Sequence, residues 1–291
     1  MFALLFGNGD FFSPPLFFMR IKLLVSDVDG TFLPKSRTIT EATHHALRAL
    51  ARENIVVALA SSRPPLGMAH ILENAGMTQL PTPFISMNGA VISNTDGTTL
   101  YSAMLEPPIV RAVYETVRDT GVNFMLLDEK GWWSSGNDDL VQREALSLRF
   151  EPILSGLEER MQHPVNKITL LGKPEDCAEA KRRLDTGFKG KVSASSPASP
   201  KFVDITALDV HKGTSVLRLA AILGVKSEEI CTIGDGENDT EMFRVSGMSI
   251  AMGNASEFVR KAASHLTLSS EEDGWAKAVQ NFVLTKAPSN Q

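Results

Sequence analysis

Short aliphatic strands alternate with amphipathic helices at both ends of this chain, and the stretch between the two ends follows a different rule. Residues 21–26 (IKLLVS) form a near-continuous apolar run of strand length. Helical spacing follows over 40–53, with Ala42, Ala46, Leu47 and Leu50 on one side and a Thr in the capping position. A second strand over 55–60, a helix over Pro65–Asn74 that stops at Gly76, and a strand over 83–87 complete the first block. The last block repeats the pattern: helix Lys212–Leu223 ending at Gly224, strand 229–233, helix 241–245, strand Met248–Ala251 and helix 257–263. Such alternation calls for a parallel sheet with right-handed crossovers. From 91 to 195 the strands read with period two (122–127, Lys167–Leu171) and alternate with longer helices (109–120, 174–184). That is the pattern of an α+β unit with an antiparallel sheet. The expected fold is therefore an α/β parallel-sheet core, built from 19–90 and 196–291, interrupted by an inserted α+β domain over 91–195. The Ser/Pro-rich stretch 193–200 (SASSPASP) reads as the linker back to the core.

A length of 291 residues suits one large domain or two smaller ones. The formal net charge of −5 argues against a nucleic-acid surface, which draws on excess Lys and Arg, but leaves room for a small phosphate ester. Cys177 and Cys231 stand far apart with no neighbouring ligand pair, so neither a disulfide framework nor a zinc site is expected, and a cytoplasmic location follows as the default. Residues 1–18 (MFALLFGNGDFFSPPLFF) are apolar but broken by Asn8, Gly9, Asp10, Pro14 and Pro15, and they lack a basic start and a cleavage site. They are read as an extension upstream of Met19, with a poorly formed signal peptide as the other reading. Neither they nor any later segment suits a membrane span.

Four segments carry chemistry, each next to an expected strand or helix end. Asp27-Val28-Asp29-Gly30-Thr31 sets two carboxylates two residues apart at a strand end, ahead of a glycine that permits a sharp turn. One carboxylate can attack phosphorus, and the other can protonate the leaving oxygen and later activate water. A plain Asp/Gly turn is the bland reading, and the buried strand before it argues otherwise. Ser61-Ser62-Arg63 offers a hydroxyl and backbone N–H groups to a phosphoryl oxygen, although such runs usually form a loop or a cap. Lys212 opens a helix, where its charge opposes the helix dipole and suggests a nearby anion; a solvated surface lysine is the alternative. His211 beside it is given no catalytic role. Gly234-Asp235-Gly236-Glu237-Asn238-Asp239 suits a hard cation, and Mg2+ better than Ca2+, because the alternating ligands and terminal Glu of a calcium loop are missing.

Together, DVDGT, ASSR, HKG and GDGENDTEM resemble the haloacid dehalogenase-like superfamily, in its Cof-type phosphatase branch. The resemblance runs from about Met19 to Val283 and takes in Ser86-Met87-Asn88-Gly89-Ala90 and Ile250-Ala251-Met252-Gly253-Asn254-Ala255. It implies a Rossmann-like core with a mobile inserted cap, and a Mg2+-dependent hydrolysis of phosphate monoesters. By the same resemblance, Asp27 is the nucleophile and a metal ligand, and Asp29 is the acid/base and lends its carbonyl to the metal. Ser61 holds the phosphoryl group, with Ser62, Arg63, Asn88 and Gly89 lining the substrate site. Lys212 neutralises the attacking carboxylate and the phosphate. Asp235 ligates the metal, Asp239 supports it through water, and Asn238 reaches the phosphate or Lys212. Where the family usually has Thr-Gly-Arg this chain has Ser61-Ser62-Arg63, which puts the loop conformation in question.

The carboxyl of Asp29 is expected to titrate high, through burial and the neighbouring Asp27. In the cap, Trp132 and Trp133 either pack in its core, the favoured reading, or stack on a substrate ring. Sugar phosphates lead the substrate expectation, ahead of pyridoxal phosphate and nucleotides. Two alternatives stand beside hydrolysis: a phosphotransferase or phosphomutase on the same scaffold, and a non-catalytic phosphate-binding protein. The second is disfavoured because Asp27, Asp29, Lys212 and Asp235 are all present. Oligomeric state is left open.

Overall fold

The computed structural model describes residues 20–79, 81–196 and 199–284. The extension expected over 1–18 lies outside the described residues. Along the chain the first elements are β1 (Leu23–Asp27), α1 (Glu41–Arg52), β2 (Val56–Ala60), α2 (Pro65–Asn74) and β3 (Pro83–Ser86). The β4 (Val91–Asn94) and β5 (Thr99–Ser102) hairpin comes next. Then come α3 (Pro107–Val117), β6 (Asn123–Leu127), β7 (Trp132–Ser134), α4 (Asp139–Leu148), α5 (Leu157–Arg160), β8 (Lys167–Leu171), α6 (Pro174–Gly187), β9 (Val192–Ser195) and β10 (Phe202–Ala207). The last part holds α7 (Lys212–Leu223), β11 (Ile230–Gly234), α8 (Thr240–Phe243), β12 (Met248–Ala251), α9 (Glu257–Ala262), β13 (His265–Leu266) and α10 (Gly274–Ala278).

The strands form two sheets. The larger has the order β13-β12-β11-β1-β2-β3-β4-β5, parallel from β13 to β3 and antiparallel through the final hairpin. Its central strands are aliphatic at nearly every position because both faces are covered. Leu24, Leu59 and Ile233 pack under α1, α2 and Trp275 of α10, whereas Leu23, Val25 and Ala58 meet Val216 and Leu219 of α7 and Phe243 of α8. Thr40 caps α1 by accepting the Thr43 N–H, and Gly224 ends α7 in the left-handed conformation.

The smaller sheet is antiparallel throughout, in the order β7-β6-β8-β10-β9. Its period-two strands divide their side chains between two surroundings. Ile168, Leu170, Val203 and Ile205 pack beneath α3 and α6. The other face carries Met125, Leu127 and Leu171 against α4 and the core residues Met87, Val91 and Val210, and the same strands place Lys167, Thr169 and Asp204 in buried positions.

Sheet membership moves the expected junctions of the inserted unit. Residues 91–102 belong to the larger sheet, since Val91–Asn94 returns as a hairpin on β3 instead of entering the insert. Residues 193–195, expected in the linker, belong to β9. Residues 193–195 pair with 204–206, and the smaller sheet extends to Ala207. The alternation of FVDITA is strand-like, although a Ser/Pro-rich stretch precedes it. Trp132 is fully buried in the insert's core, as favoured, and Trp133 packs beneath the Arg160 guanidinium. Among the described residues, no helix is long and apolar enough to cross a membrane.

Candidate active site

In a parallel sheet, ligand sites form beyond the carboxyl ends of strands where chain order reverses. Here β1 lies between β2 and β11, with Asp27 opposite Ala60 and Ser26 opposite Ile233. The register therefore delivers Asp27, Ser61 and Asp235 to one edge although they are distant in sequence.

Lys212 is the electrostatic centre of that edge. The first residue of α7, it is buried, and its Nζ donates to Asp27 Oδ1 at 2.5 Å and to Asp239 Oδ1 at 2.6 Å. The anion expected from its unfavourable helix position is this pair of carboxylates. Burial alone would lower its pKa, but Asp239 and Asp27 outweigh burial and hold the ammonium above the ordinary lysine range. Next to it His211 caps the helix, its Nδ1 accepting the Thr214 N–H.

Asp27 titrates well above an ordinary carboxylate, through burial first and then repulsion from Asp239, with Lys212 opposing and Asp235 adding to the rise. Asp235 is pushed up to about 6 by burial and by Asp239. Two donors orient it: Thr31 Oγ1 at 2.8 Å from Oδ1, and Asn254 Nδ2 at 3.0 Å from Oδ2. Asp239 is wholly enclosed, with Oδ2 accepting the N–H groups of Asp235 (2.9 Å) and Gly236 (2.8 Å). Ligand oxygens of Asp27, Asp235 and Asp239 lie within 4.8 Å of one another. Three carboxylates face a single ammonium there, and an all-oxygen donor set with excess negative charge fits a hard cation. Gly30 permits this closeness. Its φ is +86°, and a Cβ there would lie 2.5 Å from Asp235 Oδ2.

Asp29 departs from expectation. Its carboxylate turns to Arg63, whose Nε and Nη2 donate to its two oxygens at 2.7 Å each. Burial acts to raise its pKa, but the hydrogen bonds and charge of Arg63 prevail, and the carboxyl lies below its usual value. The expected upward shift is thus reversed, because a guanidinium supplied from the neighbouring strand end was not legible beside Asp27 and Asp29 alone.

Protein groups accept four of the five guanidinium N–H donors of Arg63. Besides Asp29 it donates to the Ser147 carbonyl at 2.8 Å and to Ser147 Oγ at 3.1 Å, on α4 of the insert. The Ser61 Oγ accepts the Arg63 N–H at 3.2 Å, and the Ser62 carbonyl accepts from Lys167 Nζ at 2.7 Å. Ser62 is not among the residues of positive φ, so a side chain in place of the family's usual Gly needs no left-handed backbone. Asn88 accepts from Asn238 Nδ2 at 3.2 Å and donates to Asp204 Oδ2 at 2.7 Å. Gly89 meets the start of α7, where a Cβ would lie 2.7 Å from the His211 carbonyl.

The structure thus brings together Asp27, Asp29, Arg63, Lys212, Asp235 and Asp239. Ser61, Ser62, Asn88 and Asn238 border them, and Gly89 serves packing. Four contributors escaped the sequence reading. Thr31 and Asn254 lay inside quoted motifs without a role, while Lys167 and Asp204 were visible only as charges on apolar strands. Their buried ion pair (3.1 Å) sits where the smaller sheet meets the core.

The chain resembles known proteins along nearly its whole length. It is 28% identical over 246 residues to the HMP-PP phosphatase of Klebsiella pneumoniae (strain 342), covering 84% of this chain and 89% of that protein. A haloacid dehalogenase-like hydrolase from Bacteroides thetaiotaomicron superposes with a TM-score of 0.81 at 28% identity, over 90% of this chain and 99% of the other. A subclass IIB sugar phosphatase of the same superfamily gives 0.79 at 26% identity, over 90% and 98%. The model of haloacid dehalogenase-like hydrolases matches residues 24–279, and the chain belongs to that family, in its Cof-type branch.

Proposed function

We propose that this hydrolase is a Mg2+-dependent phosphatase acting on a small phosphate monoester, a sugar phosphate first, through an aspartyl-phosphate on Asp27. The observation that carries the reading is the position of Asp27. It is a buried carboxylate at a strand end, 2.5 Å from a lysine that can screen its approach to an anionic phosphate. The phosphatase names of the relatives and the sugar phosphatase among the structural neighbours support the substrate class.

In the first half-reaction an oxygen of Asp27 bonds to phosphorus and the bond from phosphorus to the ester oxygen breaks. The leaving oxygen takes a proton from Asp29. In the second half, Asp29 takes a proton from water, the water oxygen bonds to phosphorus, and the bond to Asp27 breaks to free inorganic phosphate. Ionised Asp29 on Arg63 is in the state that accepts a proton, so donating one requires the Arg63 grip to loosen. Ser61 and Asn238 border the phosphoryl position, and Lys212 balances charge on Asp27 throughout. Asp27 and Asp235, with Asp239 behind them, would hold Mg2+, which supplies charge neutralisation and in-line alignment when bound. Two buried free thiols, Cys177 and Cys231, suit a cytoplasmic protein.

The test is phosphate release from sugar phosphates, pyridoxal phosphate and nucleotides, with and without Mg2+, alongside Asp27→Asn. Metal-dependent release that vanishes in the variant is expected. Transfer of the phosphoryl group to an added sugar without release would favour a phosphotransferase, and tight binding without either would overturn catalysis.

A further inference from the structure

A cavity of about 750 Å3 opens beside Asp29 and Asp235, and its lining includes the cations Lys35 and Arg37. They lie on the loop that follows the Asp27–Thr31 motif, and Ser196 and Pro200 of the insert line the same cavity. Neither cation is ion-paired among the described residues, in a chain whose net charge is −5. Arg37 is exposed but tethered. Its backbone is held at a φ of +58°, a conformation that a long side chain adopts at a cost, and its Nη2 donates to Ser147 Oγ at 3.2 Å. The same hydroxyl accepts from Arg63, so both guanidiniums converge on one point of α4. Arg149, just beyond α4, also stands at positive φ and without an ion-pair partner among the described residues. Burial first, and then the charges of Arg149, Arg63 and Arg37, hold His70 on α2 below its usual pKa, as expected where positive potential gathers. Of the acidic residues that line the cavity, Asp29 is held by Arg63, Asp235 belongs to the metal-competent group, and Glu237 is exposed to solvent.

Resting on the phosphatase reading above, we infer that the preferred substrate carries a second anionic group, a phosphate or a carboxylate, on the part released from phosphorus. That group would lie against Arg37 and Lys35. A guanidinium offers paired donors to either anion, and a site built for it leaves a neutral leaving group with unmatched charge.

The experiment compares matched pairs on the Mg2+-loaded protein: fructose 6-phosphate with fructose 1,6-bisphosphate, and glycerol 3-phosphate with 3-phosphoglycerate. The expected result is a kcat/KM about tenfold or more higher for the doubly anionic member of at least one pair, carried mainly by KM. Which pair shows it distinguishes phosphate from carboxylate. In Arg37→Gln the ratio within that pair falls toward one, and in Lys35→Gln it falls part of the way. Because the ratio is read within each variant, a general loss of activity does not mimic the effect. Release from all four compounds with no preference, or a preference that both variants retain, overturns the inference and leaves the phosphatase reading standing. Release from none of these, and from none of the sugar phosphates, pyridoxal phosphate and nucleotides above, overturns that reading. Calorimetric titration of the same pairs then decides the inference, since equal affinities within both pairs would overturn it.

Discussion

Arg63 grips Asp29 through two hydrogen bonds of 2.7 Å and, with the same guanidinium, holds the backbone carbonyl of Ser147 on the inserted domain. One side chain thus ties the proposed acid/base to the position of the cap. Arg63→Lys, which keeps the charge but not the planar fork, should lower kcat by roughly 10- to 100-fold, the scale of a misplaced catalytic group. Small-angle scattering would report the more open cap expected of Arg63→Ala. An unaltered kcat in Arg63→Lys would show that the paired geometry is dispensable.

Among the described residues, Lys212 carries the only ammonium ion-paired with Asp27 and Asp239. Replacing it with Met leaves two buried carboxylates without their cation, a change that typically costs about 3–5 kcal/mol. Urea unfolding in a metal-free buffer should show a loss of that order. Added Mg2+ should narrow the gap if the carboxylates bind it in the folded state. A gap that ignores Mg2+ would argue against metal binding by these residues.

Gly30→Ala combines a backbone conformation that L side chains rarely adopt with a Cβ 2.5 Å from Asp235 Oδ2. Displacing that carboxylate should raise the Mg2+ concentration needed for half-maximal activity. The strain itself should cost about 1–3 kcal/mol in urea melts. A variant with unaltered Mg2+ dependence would separate Gly30 from the placement of Asp235.

Glu144, on α4, has its carboxyl raised by burial first and then by Asp204 and Asp29, against the pull of Arg63 and Lys167. A carboxyl that titrates higher folded than unfolded makes the native state bind more protons in that range. Its contribution to stability therefore declines as pH rises through it. Glu144→Gln should consequently be more stable than the parent at pH 7, with the difference shrinking as pH falls toward about 4.3, the unfolded value of Glu. Denaturant midpoints at pH 4, 5, 6 and 7 test the trend, and a constant or inverted difference would contradict it.

Much of the fold was legible because parallel strands buried on both faces must be aliphatic throughout, and the helices between them carry one apolar stripe. The bounds of α2, α7, β8 and β12 follow from sequence to the residue. Hairpins are harder to read. The pairing of β4 with β3 and of β9 with β10 depends on which strand lies alongside, and the composition of 193–200 pointed to a linker.

The site divides in the same way. Asp27, Asp29, Lys212, Asp235 and Asp239 could be named from sequence because the proposed nucleophile, its screening cation and the proposed oxygen-rich metal loop each need particular residue types beside a glycine turn or a helix start. Contacts across the fold decided the rest. That Asp29 is held ionised by Arg63, that Asn254 orients Asp235, and that Lys167 and Asp204 join the insert to the core all follow from strands set side by side. Titration and hydrogen bonding depend on distances of a few ångströms, and residues 19 to 204 positions apart acquire such distances only when the sheet register brings them together.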